Sequence, residues 1–170
     1  MVQSLDRLRI VCSLLERHQV PYGESGVATG VLKILVIEDD PDLGGLVVDM
    51  LRQDGHQVAL AVDGATAVTL AQSTPPDAVL LDLSLPDILG YDLALRLRDG
   101  ILSDAATIIM VTGQETVELD RANAVGIDIV LHKPIEAQLL SRLIEFVRTR
   151  RRRRFSLSPL RVASSPLAER

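Results

Sequence analysis

Residues 32–147 alternate two kinds of segment, and this alternation restricts the chain to few folds. Five short apolar runs, rich in β-branched residues, have the length of buried strands and lie at 34–37, 58–62, 78–83, 107–112 and 127–131. Stretches with helical spacing follow them at 42–53, 65–73, 89–98, 115–124 and 135–150. Because strands that are apolar on both faces need helices on both sides, the pattern predicts a doubly wound parallel sheet of the α/β class.

Charge divides the same chain into three parts. Residues 1–31 hold three acids and three bases, and residues 32–147 hold nineteen acids and seven bases. Residues 148–170 hold one acid and eight bases. We therefore predict an N-terminal extension (1–31), an acidic folded domain (32–147) and an Arg-rich tail (148–170) that we expect to be disordered.

The N-terminal extension has its own pattern. Leu5, Leu8 and Leu15 recur at helical spacing, which predicts a short amphipathic helix over residues 3–18, followed by a flexible linker. Three interpretations stay open. The helix binds a partner or dimerises, or the segment is a peripheral extension, or the natural chain begins at Val31, immediately before the α/β pattern.

Composition excludes several classes of function. No apolar run reaches the ~20 residues that a membrane span requires. Cys12 is the single cysteine, so an internal disulfide is excluded and a cytoplasmic location is expected. Aromatic residues make up 2% of the chain and tryptophan is absent, which argues against a base-stacking surface for single-stranded nucleic acid.

Acidic side chains follow two of the predicted strands. Glu38, Asp39 and Asp40 come directly after the first strand, and Asp82 lies near the end of the third. In the strand order 2-1-3-4-5 that we expect, these two strands are neighbours, so their carboxylates converge. Asp40 has a separate explanation, because Asp40 followed by Pro41 is a typical helix N-cap and first helical residue.

The three other carboxylates predict a cation site. Glu38, Asp39 and Asp82 would repel one another unless they share a hard cation or take up protons. Mg²⁺ suits them because it prefers oxygen ligands. The alternative for Glu38 and Asp39 is a solvated acidic turn.

The fourth and fifth strands end near Thr112 and Lys133, a hydroxyl donor and a cation that a phosphate group would need.

Four motifs together resemble one known family. The runs "ILVIEDDPDL", "LLDLSLPDILGYDL", "IIMVTGQ" and "LHKPI" resemble the receiver domain of bacterial two-component response regulators, over about residues 32–147. The resemblance implies a five-stranded flavodoxin-like fold and an aspartate, Asp82, that accepts a phosphoryl group. It also implies Mg²⁺ ligands and switch residues, namely Glu38, Asp39, Asp82 and the backbone carbonyl of Ser84 for the metal, Thr112 and Lys133 for the switch, and a cis bond before Pro134.

The resemblance also implies partners and a mode of action. A sensor histidine kinase or a histidine phosphotransfer protein would donate the phosphoryl group, and a downstream protein would respond to the phosphorylated form. The run "LPDILGYDLALRLR" is similar to receivers of hybrid kinases, so a phosphorelay role is one expectation. We class such a chain as a signalling protein rather than an enzyme.

Two features depart from the family pattern. Val130 occupies a position where the family usually has Tyr or Phe, so the usual aromatic readout does not transfer to this chain. The interval from Thr112 to Lys133 is about one residue shorter than usual, which predicts an altered fourth helix or loop. Signalling through this side of the domain is therefore expected to differ.

The Arg-rich tail leaves two interpretations open. Arg148 and the arginines at 150–154 would bind nucleic acid, an acidic membrane surface or an acidic partner, or they would form a solvated helix end before a disordered tail. Sixteen residues follow position 154, too few for a winged-helix domain. Three functions remain: a stand-alone receiver, a switch that binds through its tail, and a non-phosphorylated interaction module.

Overall fold

A computed structural model describes residues 30–114 and 116–156 of the chain, with side chains as far as residue 149. The predicted helix over residues 3–18 lies outside the described residues, as do its linker and the tail from residue 157 onward. In the described ranges no helix is both long enough and apolar enough to span a membrane.

Five strands alternate with five helices in the described part of the chain. In order along the chain they are β1 (Lys33–Ile37), α1 (Pro41–Gln53), β2 (Gln57–Ala61), α2 (Gly64–Ser73), β3 (Ala78–Asp82), α3 (Gly90–Arg98), β4 (Thr107–Thr112), α4 (Leu119–Ala124), β5 (Ile129–His132) and α5 (Ala137–Ser156). All neighbouring strands are parallel, in the order β2-β1-β3-β4-β5. The doubly wound α/β fold predicted from the alternation is confirmed.

Two hydrophobic clusters cover the two faces of the sheet. One face packs against α2, α3 and α4, and the other packs against α1 and α5. Along β3, Val79 and Leu81 belong to the first cluster, whereas Ala78 and Leu80 belong to the second. Every residue of β3 and β4 is buried, as expected for central strands with helices on both sides.

β2 is an exception to the prediction of two buried faces. Gln57 and Ala59 are exposed, Val58 and Leu60 are partly buried, and Ala61 alone is buried. The strand lies at the edge of the sheet, so one side of it has no neighbouring strand. Its apolar sequence therefore does not translate into full burial.

The first helix begins as the sequence predicts. The Asp40 carboxylate accepts hydrogen bonds from the N–H groups of Asp42, at 3.0 Å, and Leu43, at 3.2 Å. Pro41 occupies the first helical position, where its missing N–H costs nothing. The assignment of Asp40 as a helix cap, separate from the two acids before it, is confirmed.

Two helix bounds differ from the sequence-based expectation. α4 begins at Leu119 rather than at residue 115 and has six residues. At the other end of the domain, α5 continues to Ser156 without interruption. Its backbone therefore crosses the predicted boundary between residues 147 and 148, and the start of the Arg-rich segment is helical.

The cap at Asp40 predicts a stability change without a change of site. Asp40→Ala should lower the free energy of unfolding by about 1 kcal/mol, because two N–H groups of the first turn of α1 lose their acceptor. Asp49→Ala is the control, since it removes the same charge from an exposed position inside the same helix. Urea unfolding followed by circular dichroism measures both, and equal midpoints would contradict the assignment.

Candidate functional site

Polar side chains gather where four of the parallel strands end. Glu38 follows β1, Asp82 ends β3, Thr112 ends β4, and Lys133 follows β5. Since the carboxyl ends of parallel strands meet at one edge of a sheet, the fold brings these residues together. The strand order β2-β1-β3-β4-β5 places β1 and β3 side by side at the centre of that edge.

Three carboxylates form a cluster at this edge. One oxygen atom from each of Glu38, Asp39 and Asp82 lies within 4.8 Å of the others. The side chains of Glu38 and Asp82 are 8% and 7% exposed, whereas Asp39 is exposed to solvent. Two of the three charged groups are thus largely buried. Their mutual repulsion is stronger there than in water, because the protein interior screens charges less.

The Lys133 ammonium group connects the two buried carboxylates. Its Nζ atom lies 2.7 Å from Asp82 Oδ2 and 2.9 Å from Glu38 Oε2. The Lys133 backbone N–H donates to the Thr112 carbonyl at 2.8 Å, and the Lys133–Pro134 peptide bond is cis. One side chain therefore joins the end of β5 to the ends of β1 and β3.

The protonation of this cluster follows from burial and from the ion pairs. Burial raises the pKa of Glu38, the hydrogen bond from Lys133 opposes that change, and the charge of Asp82 adds to it. Burial by itself would lower the pKa of Lys133, but its hydrogen bonds with Asp82 and Glu38 outweigh that effect, so the pKa is raised. Lys133 consequently remains a fixed cation in the site.

The donor set fits a magnesium ion. When fully ionised, three carboxylates beside one ammonium group leave two negative charges uncompensated. The available ligands are all oxygen atoms, which Mg²⁺ prefers, and exposed Asp39 leaves part of the cluster open to water. Glu38, Asp39 and Asp82 would hold the ion.

Ser84 lies beside this cluster. Its backbone N–H donates a hydrogen bond to Asp82 Oδ1 at 3.0 Å, while Lys133 binds Asp82 Oδ2. Both oxygen atoms of Asp82 thus have a donor on the protein. The role of the Ser84 backbone carbonyl as a metal ligand stays a prediction.

Thr112 lies at the same edge of the sheet, but its hydroxyl group is hydrogen-bonded to the loop that follows it. The residue is 1% exposed, and its hydroxyl oxygen accepts a hydrogen bond from the Gln114 N–H at 3.0 Å. Among the hydrogen bonds of the described residues, none joins Thr112 to the side chain of Asp82. Val130 lies in β5, where it pairs with Met110. It packs against the hydrophobic cluster on the face of the sheet that α2, α3 and α4 cover.

Two residues of the segment that follows Asp82 escaped the sequence-based interpretation. A Cβ atom on Gly90 would lie 2.7 Å from the carbonyl oxygen of Asp82, so the start of α3 contacts the backbone of Asp82 as closely as glycine allows. Asp87, in the loop between β3 and α3, binds two N–H groups of α2. The motif "LPDILG" contains both residues, but their contacts depend on tertiary structure.

Comparison with known proteins identifies the family pattern. The family model described as "Response regulator receiver domain" matches residues 34–145. The DNA-binding response regulator MtrA of Mycolicibacterium smegmatis is 35% identical over 122 residues, which are 71% of this chain and 51% of MtrA. This chain thus spans about half the length of that relative.

A shorter relative and a solved structure cover the same region. Protein Rrf1 of Nitratidesulfovibrio vulgaris is 33% identical over 113 residues, which are 66% of this chain and 80% of Rrf1. The chemotaxis protein CheY4 of Vibrio cholerae superposes with a TM-score of 0.66 at 25% identity, over 69% of this chain and 99% of CheY4. The described fold is thus similar to that of nearly the whole CheY4 chain.

The ion pairs predict a stability change that depends on metal. Lys133→Gln removes the cation between Glu38 and Asp82, and it should lower the free energy of unfolding in metal-free buffer by about 1–3 kcal/mol. Added Mg²⁺ should then raise the melting temperature of the variant more than that of the wild type, because it replaces the lost charge.

Lys33→Gln is the matched control, since Lys33 is the other lysine of the chain and is exposed at the start of β1. Thermal unfolding with and without MgCl₂ measures all three proteins. Equal rises in melting temperature for the Lys133 variant and the wild type would contradict the coupling between Lys133 and the ion, and no rise in either would show that the cluster does not bind the ion.

Proposed function

Because the chain belongs to the family of response regulator receiver domains, we propose that Asp82 accepts a phosphoryl group in two-component signal transduction. The observation that carries the proposal is the position of Asp82, which lies among Glu38, Asp39 and Lys133 at the carboxyl edge of the sheet. A histidine kinase or a histidine phosphotransfer protein supplies the group, and phosphorylation then alters contacts with a downstream protein.

The transfer step uses one carboxylate oxygen of Asp82 as the nucleophile. That oxygen attacks the phosphorus of a phosphohistidine in line, and a new O–P bond forms while the N–P bond of the donor breaks. The imidazole nitrogen keeps the electron pair of the broken bond and takes a proton from solvent. A carboxylate has no proton for a general base to remove, and the Lys133 ammonium lies 2.7 Å from Asp82 Oδ2.

The surrounding residues stabilise the charge that develops on the phosphoryl group. Glu38, Asp39, Asp82 and the Ser84 carbonyl would hold Mg²⁺, which when bound would supply positive charge that stabilises the transferring phosphoryl group. Lys133 changes partner, from the free carboxylate of Asp82 to an oxygen of the phosphoryl group. Its pair with Glu38 keeps the ammonium at the site during this change.

Phosphorylation adds charge that the neighbouring hydroxyl can bind. Thr112 exchanges its hydrogen bond with the Gln114 N–H for one to a phosphoryl oxygen, and this moves the loop that leads to α4. Val130 has no ring to rotate inward behind Thr112. The signal therefore passes through the loop and α4 rather than through an aromatic side chain in β5.

The proposed setting is that of a signalling protein. The chain accepts and loses a phosphoryl group on its own side chain, and it turns over no separate substrate, so we class it as a switch rather than an enzyme. The single cysteine supports a cytoplasmic location, where a kinase would reach it.

Phosphoryl transfer to Asp82 has a direct test. Asp82→Asn should abolish labelling by acetyl phosphate or by a phosphorylated histidine kinase, because the amide cannot act as the nucleophile. EDTA should abolish labelling of the wild type, and Asp49→Asn, which changes an exposed acid of α1, should label normally. Intact-protein mass spectrometry counts the added groups, and undiminished labelling of the Asp82 variant would remove that residue from this role.

The basic end of α5 favours a second candidate function, binding to nucleic acid. α5 begins at the site edge of the sheet, and its final residues lie beyond Val147, which is buried. Burial lowers the pKa of His56, which lies at the opposite edge just before β2, and the charge of Arg148 acts in the same direction. The helical backbone thus carries positions 150–154 away from the acidic cluster.

The composition of this segment fits a phosphate backbone. The five residues at 150–154 are all arginine, whose guanidinium group binds phosphate oxygens in pairs. Five consecutive helical positions cover the whole circumference of a helix, so this stretch has no apolar face with which to lie on a membrane. MtrA is named a DNA-binding response regulator, and for this chain such binding is a proposal that rests on the arginines alone.

Salt dependence tests this second function. Replacing the arginines at 150–154 by glutamine should remove most binding to duplex DNA. The logarithm of the wild-type binding constant should fall linearly with the logarithm of the salt concentration, with a slope of about −0.9 per phosphate contact. Fluorescence anisotropy with labelled duplexes measures both quantities. Equal affinities of the two proteins would exclude the function, and binding only to anionic vesicles would assign the segment to membranes instead.

A further inference from the structure

The loop from Leu83 to Leu89 follows Asp82, and its tip is attached to the start of α2. Asp87 Oδ1 accepts a hydrogen bond from the Gly64 N–H at 2.9 Å, and Asp87 Oδ2 accepts one from the Ala65 N–H at 3.2 Å. These N–H groups belong to the first two residues of α2. Both carboxylate oxygens of Asp87 are therefore used in holding the loop against the start of that helix.

The contact at the tip of the loop is also close in space. A Cβ atom on Gly64 would lie 2.3 Å from Cγ2 of Ile88 and 3.2 Å from Oδ2 of Asp87. No side chain fits between α2 and the loop at this point without a shift of one of them. The contact therefore requires glycine at position 64. It combines the two hydrogen bonds to Asp87 with close packing of Ile88 against the backbone of Gly64.

The same loop is closed at its other end, next to Asp82. Ser84 and Leu89 form an antiparallel bridge, and the Gly90 N–H donates to the Leu83 carbonyl at 2.9 Å. Ser84, inside this closed end, donates its N–H to Asp82 Oδ1. The loop is fixed at two points, and Ser84 lies at the point nearest the carboxylate cluster.

We propose that Asp87 is a positioning residue, which holds Ser84 in place for the cation and for Asp82 through its attachment to α2. This inference rests on the proposed function, because it assigns Asp87 a role in that same site. Asp87 itself is not part of the carboxylate cluster, which consists of Glu38, Asp39 and Asp82, and its oxygens hold the start of α2. Groups that hydrogen-bond directly to a metal ligand typically change metal affinity by about 10- to 100-fold when they are removed, and Asp87 acts one contact further out, so the lower end of that range is expected.

A second acid on α2 separates positioning from simple helix capping. Asp63 is the N-cap of α2, and its carboxylate accepts a hydrogen bond from the Thr66 N–H at 2.7 Å. Asp63 and Asp87 thus carry the same charge at the same end of the same helix. Of these two acids, only Asp87 lies in the loop beside the site. Asp63→Ala is therefore the matched control for Asp87→Ala.

The test measures the Mg²⁺ dissociation constant by calorimetry and the rate of labelling by acetyl phosphate at several Mg²⁺ concentrations. Asp87→Ala should weaken Mg²⁺ binding by about tenfold, whereas Asp63→Ala should change it by less than about twofold, although both lower stability. At saturating Mg²⁺ much of the labelling rate of Asp87→Ala should return. Asp87→Asn, which keeps one carbonyl oxygen as an acceptor, should lie between Asp87→Ala and the wild type.

A pair of glycine variants tests the same idea without a change of charge. Gly64→Ala pushes the loop away from α2 and should also weaken Mg²⁺ binding, whereas Gly45→Ala, a helical position with open space around it, should not. Equal Mg²⁺ affinities for the Asp63 and Asp87 alanine variants would overturn the positioning role and leave a helix cap. A wild type that binds no Mg²⁺ and accepts no phosphoryl group would overturn the proposed function itself.

Discussion

The contact of Lys133 with Glu38 and Asp82 is the interaction on which this edge of the sheet depends. Two carboxylates that are almost fully buried face each other across neighbouring strands, and burial already raises the pKa of Glu38. An ammonium group at 2.7 Å and 2.9 Å turns that repulsion into attraction. Because Lys133 comes from β5 and the acids from β1 and β3, the polar edge is held together across four strands of the sheet.

The opposite edge is held by a contact of a different kind. Arg98, at the end of α3, donates to the carbonyls of Ala106 and Gly126 and pairs with Asp128 at 2.6 Å. Asp128 in turn accepts the N–H of Ile108 at the start of β4. Backbone groups make up most of these partners, so the arrangement is tied to the fold. A change of charge at the site edge therefore acts on a sheet whose far edge is already fixed.

The sequence predicts most of this structure for a simple physical reason. Buried parallel strands need continuous apolar runs, and charged residues at their ends are conspicuous, so Asp82 and Lys133 could be located by position alone. The exposure of β2 depends on its place at the sheet edge, which no local pattern contains. The role of Asp87 depends on Gly64, twenty-three residues earlier, and the late start of α4 on a loop whose composition resembles that of a helix.

α4 is the element of the domain that burial holds least firmly. It has six residues, of which Ala122 alone is buried, and a helix of that length has little stability of its own. Its remaining attachment is to α3, where the Arg121 guanidinium lies 4.5 Å from the centre of the Tyr91 ring and 3.5 Å from Asp92. Such exposed ion pairs contribute little free energy. α4 follows the loop that begins after Thr112. In the proposed switch, a small displacement of the Thr112 hydroxyl would act through that loop on α4, and this route would need no aromatic ring at position 130.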